Sequence, residues 1–441
     1  MFNTIKNALK SPEIRKKLLF TLLLIVIFRL GCYITIPMVN IATLNETMSS
    51  NSNGITGLIN IVSGGAFSRL SIFAMSITPY ITSSIIVQLL AMVIPSLERL
   101  TKEGGEEGRK KVDRITKLIS LALALVEAVG IYFSYKTSGL FVENGVLTAF
   151  VVILSLVAGT SLLMWVGDKI TTKGVGNGIS MLIFAGIVSS LPQALMSIFS
   201  LVRENGAFST KGLITSILLI LGVLVLVVGV IFVQQAERRI PVQYSKKVVG
   251  RKMMGAQNTH IPIKPAMASV MPIIFASSFM TFPAMVIELF VKDIENKAGF
   301  IRVLYNLSIA TSSSSIGWQY TIINAIIYLL LIVGFTYFYT YATFNPAEVA
   351  NNIKQNGGFI PGIRAGKPTS DYLSSVLSKV VLFGGLFLAA VAIIPMFAKA
   401  SGLNTAFGGT SILIVVGVAI ELSQQLQSLI VMKHYKGFLE K

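Results

Sequence analysis

Between Asn53 and Ile94 the chain reads NGITGLINIVSGGAFSRLSIFAMSITPYITSSIIVQLLAMVI. Two apolar pieces stand side by side in it. The second, Ile72 to Ile94, is long enough to cross a hydrocarbon layer, which takes about 20 mostly apolar residues. The first, Ile55 to Val62, is too short, and it is fenced by Asn53-Gly54 and by Ser63-Gly64-Gly65. Lipid cannot satisfy a broken backbone. A short, glycine-interrupted piece at that depth therefore either folds back into protein as a half-helix or lies as an amphipathic turn on the outer surface. Both readings stay open on this stretch alone.

Outward from this stretch, nine more windows are apolar enough to span: Leu18–Ile36, Leu118–Tyr135, Leu147–Val166, Ile179–Val202, Leu213–Val233, Ala266–Phe290, Tyr320–Ala342, Val376–Phe397 and Ala406–Met432. Pro192, Pro272 and Pro283 fall inside windows, where neighbouring helices can re-satisfy the freed carbonyls. Composition agrees. The 441 residues are 53% hydrophobic and 13% charged, against about 25% charged in a soluble domain. Too little polar surface exists to cover a water-soluble fold of this size. The expected class is an all-α polytopic membrane protein with ten transmembrane helices. Cys32 is the only cysteine, which excludes an internal disulfide and a cysteine-based metal site.

The net charge of +18 is read by its placement. Outside the windows, 27 Lys and Arg fall on one side and 8 on the other. The rule that cytosolic loops are rich in Lys and Arg puts both termini in the cytosol. Met1 to Lys17 lacks the apolar core of a cleavable signal peptide. Phe2, Ile5 and Leu9 recur at helical spacing with Lys6 and Lys10 among them, which predicts a short interfacial helix. Ser11-Pro12-Glu13 then reads as an N-cap, a first-turn proline and a first-turn acid.

Two cytosolic loops, Gln234 to Pro265 and Thr343 to Leu373, exceed the length that mere connection requires. The first is dense in positive charge. The second carries Gly357-Gly358, Pro361-Gly362 and Gly366-Lys367-Pro368, which predict tight turns presenting a tip. Orientation-setting charge explains the shorter basic loops but not the length of these two. No enzyme constellation accompanies them. His260 and His434 are the only histidines, no paired-histidine metal motif exists, and Lys367 is followed by proline rather than by the Ser or Thr of a phosphate loop. Neither cofactor nor metal is expected, and energy for transport comes from a partner or a gradient. Charges inside windows are few: Arg29, Glu127, Glu288, Lys379 and Glu421, with Arg69 near a boundary. Each is costly in lipid and so a candidate for function; Glu288 and Lys379 read best as helix-end charges.

A set of short stretches, in order along essentially the whole chain, resembles the SecY/Sec61 alpha family of translocon channel subunits. They include Phe28-Arg29 leading to Ile36-Pro37, Ser63-Gly64-Gly65-Ala66 through Ser68-Arg69, Pro79-Tyr80-Ile81, Gln88-Leu89-Leu90 and Lys102-Glu103-Gly104. Further along come Gly176-Asn177-Gly178-Ile179-Ser180, Ile183-Phe184-Ala185-Gly186-Ile187, Ala256-Gln257 with Thr259-His260, and Phe275-Ala276-Ser277-Ser278. Phe344-Asn345-Pro346, Pro361-Gly362-Ile363-Arg364 and Phe407-Gly408-Gly409-Thr410-Ser411 complete the set.

The resemblance implies two pseudo-symmetric five-helix halves, residues 18–202 and 213–432. An outer hinge at 203–212 would join them, after a cytosolic N-terminal segment at 1–17 and before a cytosolic tail at 433–441. It implies a midplane ring of Ile77, Ile81, Ile179, Ile183, Ile274 and Ile414. Branched aliphatics offer water and ions no hydrogen-bond partner, so such a ring dewets; taken singly, an isoleucine in a span reads as lipid contact or core. It makes residues 55–69 a plug, with Ile55, Leu58, Ile59, Ile61, Val62 and Arg69. It makes Thr82, Gln88, Glu127, Ser278 and Phe282 lateral-gate positions, Glu127 standing where some bacterial members carry glutamine. It makes Arg251, Lys252 and Arg364 docking residues for the ribosome and a motor ATPase, Lys252 replacing an arginine. The implied partners are the small membrane subunits SecE and SecG, the motor SecA, the ribosome, signal peptides and nascent chains, and membrane lipids. The implied location is a bacterial plasma membrane, with a thylakoid membrane as the alternative. Two rivals remain: a small-solute transporter, which would bind one solute saturably through charges such as Glu127, and a structural anchor, which would conduct nothing after plug deletion.

Overall fold

The computed structural model describes residues 11–40, 43–44, 60, 63–102, 104–136, 139–143, 145–200, 202–204, 207–244, 247–249, 252–254, 258–267, 270–290, 299–309, 318–400 and 409–439. The expected interfacial helix before Lys10, the plug residues Ile55, Leu58, Ile59, Ile61 and Val62, and Arg251 lie outside the described residues.

In chain order the helices are α1 (Pro12–Gly31), α2 (Thr78–Val93), α3 (Pro95–Lys102), α4 (Gly105–Lys136), α5 (Val146–Lys173), α6 (Gly178–Ser200) and α7 (Thr210–Gln235). There follow α8 (Met271–Phe290), α9 (Phe300–Ile309), α10 (Trp318–Thr343), α11 (Pro346–Gln355), α12 (Lys367–Ala400) and α13 (Gly409–Leu439). All but α3, α9 and α11 coincide with the ten apolar windows. Seven are long and apolar enough to cross a membrane on length and composition alone. Two of the others fall short for local reasons: α1 opens on Arg15, Lys16 and Lys17, and α2 has 16 residues.

Sequence chemistry explains the helix ends. Pro12 and Glu13 occupy the first turn of α1, with Ser11 as cap. Ile94 is extended because Pro95 follows it, and α2 and α3 meet there at 109°. The 32 residues of α4 make a rod about 48 Å long. That exceeds the roughly 30 Å hydrocarbon layer, so the charged turns from Glu106 to Lys117 overhang on the basic side.

The window Ile72–Ile94 is helical only from Thr78 onward. Residues 63–77 run as successive turns, with positive φ at Gly64, Gly65, Leu70 and Ser76. Irregular backbone at membrane depth is tolerated only inside protein, and this stretch is buried there: Ala66, Leu70, Ser71 and Ala74 are all but inaccessible. Its backbone is satisfied by pairing with the chain after α1, through Ile36 N–H to the Leu70 carbonyl and Ile72 N–H to the Ile34 carbonyl, each 3.0 Å. α5 passes so close that a Cβ on Gly159 would strike the Ile72 carbonyl.

The long loops hold strands that hydropathy did not foresee. β1 (Arg203–Glu204) pairs with β2 (Ala207–Phe208) in the expected outer hinge. β3 (Arg238–Tyr244), β4 (Lys247–Val249), β5 (Lys252–Met254) and β6 (Asn258–Ile263) lie in the first basic-side loop, and β7 (Gly358–Phe359) lies in the second. β3 is the middle strand of a sheet ordered β6-β3-β7. Gln243 stands opposite Phe359 and Tyr244 opposite Gly358. The two loops are thus one body, with a core of Ile240, Val242, Ile263, Ile353, Ile360, Leu373, Leu377 and Val381. The second loop is also shorter than expected, because α12 begins at Lys367.

Candidate functional site

The central core is where the two parts of the chain meet. It gathers Leu24 and Phe28 from α1, Phe73 and Ile77 from the turn segment, and Leu163 and Ile170 from α5. Ile183 and Ile187 come from α6, Ile274 from α8, and Ile414 and Val418 from α13. All six isoleucines expected in the ring belong to this one cluster. Ile77, Ile183, Ile274 and Ile414 are buried in it, and Ile81 and Ile179 pack half-buried against it. Ile77 precedes the first residue of α2 and Ile81 lies one turn on. Ile179 and Ile183 are likewise one turn apart on α6, so each pair points the same way.

A cavity of about 340 Å³ opens beside the cluster on the basic-loop side. Ile183, Ile274 and Ile414 form part of its wall together with Met267, Val270 and Met271, and Asn177, Gln234, Lys264, Glu421 and Gln424 add polar groups that water can meet. Of these, the sequence marked Glu421 as an intramembrane charge and Asn177 as part of a family stretch. Glu421 and Gln424 lie three residues apart, on one face of that span, within the polar run Glu421–Ser428 that closes an otherwise mostly apolar window.

α8 touches α2 and α4, and it is joined to α10 by aromatic contacts: Phe275 with Phe335 at 5.9 Å and with Tyr339 at 6.2 Å. The expected gate residues sit on α2, α4 and α8. Thr82 Oγ1 donates to the Thr78 carbonyl at 3.1 Å, and Gln88 Nε2 donates to Ser84 Oγ at 3.2 Å. Thr281 Oγ1 donates to the Ser278 carbonyl. Ser278 is half-buried, Phe282 is exposed and Glu127 is buried. Among the described residues no hydrogen bond joins these side chains across the α2–α8 or α4–α8 contacts. Thr82 and Gln88 bond along their own helix, and the contacts between α8 and its neighbours α2 and α4 are made by packing.

Of the expected plug, Asn60 and residues 63–69 are described. Gly65 N–H donates to the Asn60 carbonyl at 2.8 Å, and Ser68 N–H to Asn60 Oδ1 at 3.0 Å. Gly64, at φ +66°, lies against α6, where a Cβ would come within 2.6 Å of Ser189 Oγ. Arg29 donates to the Gly64 carbonyl from α1. Arg69 lies over the Tyr33 ring. On the opposite side, Arg364 is exposed in the turns after β7, and Thr369 Oγ1 donates to its carbonyl at 2.8 Å. Lys252 begins β5 opposite Val249.

The SecY family profile matches residues 71–423. The chain is 42% identical over 448 residues to the protein translocase subunit SecY of Halalkalibacterium halodurans, covering 100% of both chains. It is 40% identical over 449 residues to that of Bacillus subtilis, again covering 100% of both. Among solved structures, one described as a protein conducting channel aligns with TM-score 0.66 at 22% identity, covering 93% of this chain and 91% of that one. Sec61 in the canine ribosome–channel complex aligns with TM-score 0.60 at 20% identity, covering 93% and 91%. Those structures speak for the fold, and the full-length relatives speak for descent. A helical membrane fold that gathers isoleucines from both ends of the chain into one core, in a sequence alignable from end to end with translocase subunits, belongs to the SecY family of protein-conducting channels.

Proposed function

We propose that this channel seals on the six isoleucines, is closed from the outer side by residues 55–69, and opens sideways where α2 and α4 meet α8 and α10. The observation that carries the reading is the convergence of Ile77, Ile81, Ile179, Ile183, Ile274 and Ile414 on one core beside a partly polar cavity. An unfolded chain enters through that cavity, where side chains can be hydrated. It then passes a constriction that makes no specific contact and so accepts any sequence. The seam lets each segment sample lipid. At mid-span, Leu, Ile, Phe or Val favours lipid by about 0.3–0.6 kcal/mol, and Asp, Lys or Arg opposes it by about 2.5–3.5 kcal/mol. A run of apolar residues therefore leaves sideways and a polar run goes across. The protein is a transport channel and not an enzyme.

The chain supplies no phosphate loop, so the push comes from partners. The body formed by β3, β6, β7 and the start of α12 supports docking of the ribosome and of a motor ATPase of the SecA type, with Arg251, Lys252 and Arg364 as contacts. SecE and SecG complete the assembly in a bacterial plasma membrane, with both termini in the cytosol. Residues 18–202 and 213–432 act as two halves about the outer hinge at 203–212. The test is reconstitution of the chain with its small subunits, a motor ATPase and a preprotein. Protease-protected preprotein is the expected product. Saturable uptake of one small solute that depends on Glu127, without protected preprotein, would overturn the reading.

A further inference from the structure

Arg29 lies in the last turn of α1, and Arg69 lies in the turn segment that leads to α2. Both guanidiniums rest against one ring: Arg29 Cζ is 5.0 Å and Arg69 Cζ is 4.1 Å from the centre of Tyr33. Arg29 also donates to the Tyr33 hydroxyl at 3.3 Å and to the Gly64 carbonyl. Two positive charges thus share one phenol, within about one Debye length of each other, roughly 10 Å in 0.1 M salt. Among the described residues neither arginine forms an ion pair. Arg69 Nη1 is buried and, among the described residues, has no hydrogen-bond partner. A neutral phenol and one carbonyl do not balance two guanidiniums, and an orphaned charged donor is unfavourable.

The surroundings say what kind of anion would balance them. Leu30, Tyr33 and Ile34 form an exposed wall, 63%, 55% and 55% accessible. Such a wall, at the end of a spanning helix and carrying an aromatic ring, faces the lipid boundary. Guanidinium presents a planar fork that matches phosphate oxygens two at a time. We propose that Arg29, Tyr33 and Arg69 form a binding site for the phosphodiester of an anionic phospholipid headgroup at the membrane boundary opposite the basic loops. The headgroup takes the partly exposed donors of Arg29 and Arg69, while its acyl chains lie along Leu30 and Ile34. Arg29 then joins the bound lipid to the backbone of Gly64. The site requires only that the chain spans a bilayer, and it stands apart from the roles given to the ring and the seam.

The test counts lipids retained by the purified full channel complex in native mass spectrometry, after exchange into detergent containing phosphatidylglycerol or phosphatidylcholine. Wild type should retain a phosphatidylglycerol that Arg69→Gln binds at least tenfold more weakly. Arg69→Lys, which keeps the charge and loses the fork, should fall between them and serves as the second variant should the first fail to assemble. Equal retention by wild type and both variants would overturn the site. Displacement of the lipid by millimolar inorganic phosphate would also overturn it, because the pocket would then recognise a soluble anion and not a headgroup.

Discussion

Replacing Ile274 by Asn tests the central cluster most directly. Ile274 is 9% exposed and packs in the core shared by both parts of the chain. Burial of a side chain of this size favours the dry state by about 1.5–3 kcal/mol. An asparagine amide in its place costs about 1–3 kcal/mol unless water reaches it. Together these tilt the constriction toward hydration by roughly 3 kcal/mol. At about 1.4 kcal/mol per factor of ten, the wetted population rises about a hundredfold. The assay is resting current through single channels in planar bilayers. The control is Ile273→Asn. Ile273 is the adjacent residue on α8, 0% exposed, and it belongs to a different core with Val230, Tyr328 and Leu413. That variant should lower stability by several kcal/mol and leave the resting current of the folded fraction unchanged. Equal resting currents in wild type and Ile274→Asn, or an equal leak from both variants, would refute the reasoning.

Deleting Ile55 to Val62 should leave an inserted channel whose resting current flickers, whereas loss of insertion would make the segment structural. Gly358→Val would place a Cβ 2.8 Å from the Tyr244 ring and 3.0 Å from Ile353; the overpacking should cost about 1–3 kcal/mol and speed limited proteolysis between Thr343 and Leu373 without raising the resting current. Charge reversal of Arg364 or Arg251 to Glu should weaken ribosome co-sedimentation and reduce its salt slope by about 1, with expression unchanged; equal binding at every salt concentration would leave these arginines as orientation-setting charge.

The spans were legible because twenty apolar residues in a row have few other uses, and the helices of the structure follow the windows. Their ends were less so. Ile72–Ser76 is as apolar as a helix start, but the positive φ at Leu70 and Ser76 and the pairing with Ile34 and Ile36 are long-range facts that hydropathy cannot carry. The strands in the first basic loop left a weak trace. Ile240 and Val242 alternate with Arg239 and Pro241, and only the former two are buried. Pro241 and Pro262 argue against a strand when read locally, and they are accommodated by the pairing of β3 with β6. The site was legible in a different sense. No physical property of Ile274 sets it apart from Ile273; only resemblance singled it out, and only the packing puts the two in different cores. The polar groups of the cavity had a signal of their own in Glu421 and Gln424, at the start of the polar run that ends the last window.

The sheet shared by the two long loops has a mechanical consequence. β3 leaves α7, β6 leads toward α8, and β7 is tethered between α11 and α12. Every root of that sheet is therefore in the second part of the chain. The elements that complete the central cluster from the first part, α1, α5 and α6, are not anchored to it. A load applied to the sheet is delivered to one side of the seam only. If the proposed sideways opening operates, the load falls on α8 and its aromatic partner α10 and not on α2 and α4, which lie in the first part of the chain. One handle, gripped at either loop, would then work the proposed hinge at 203–212.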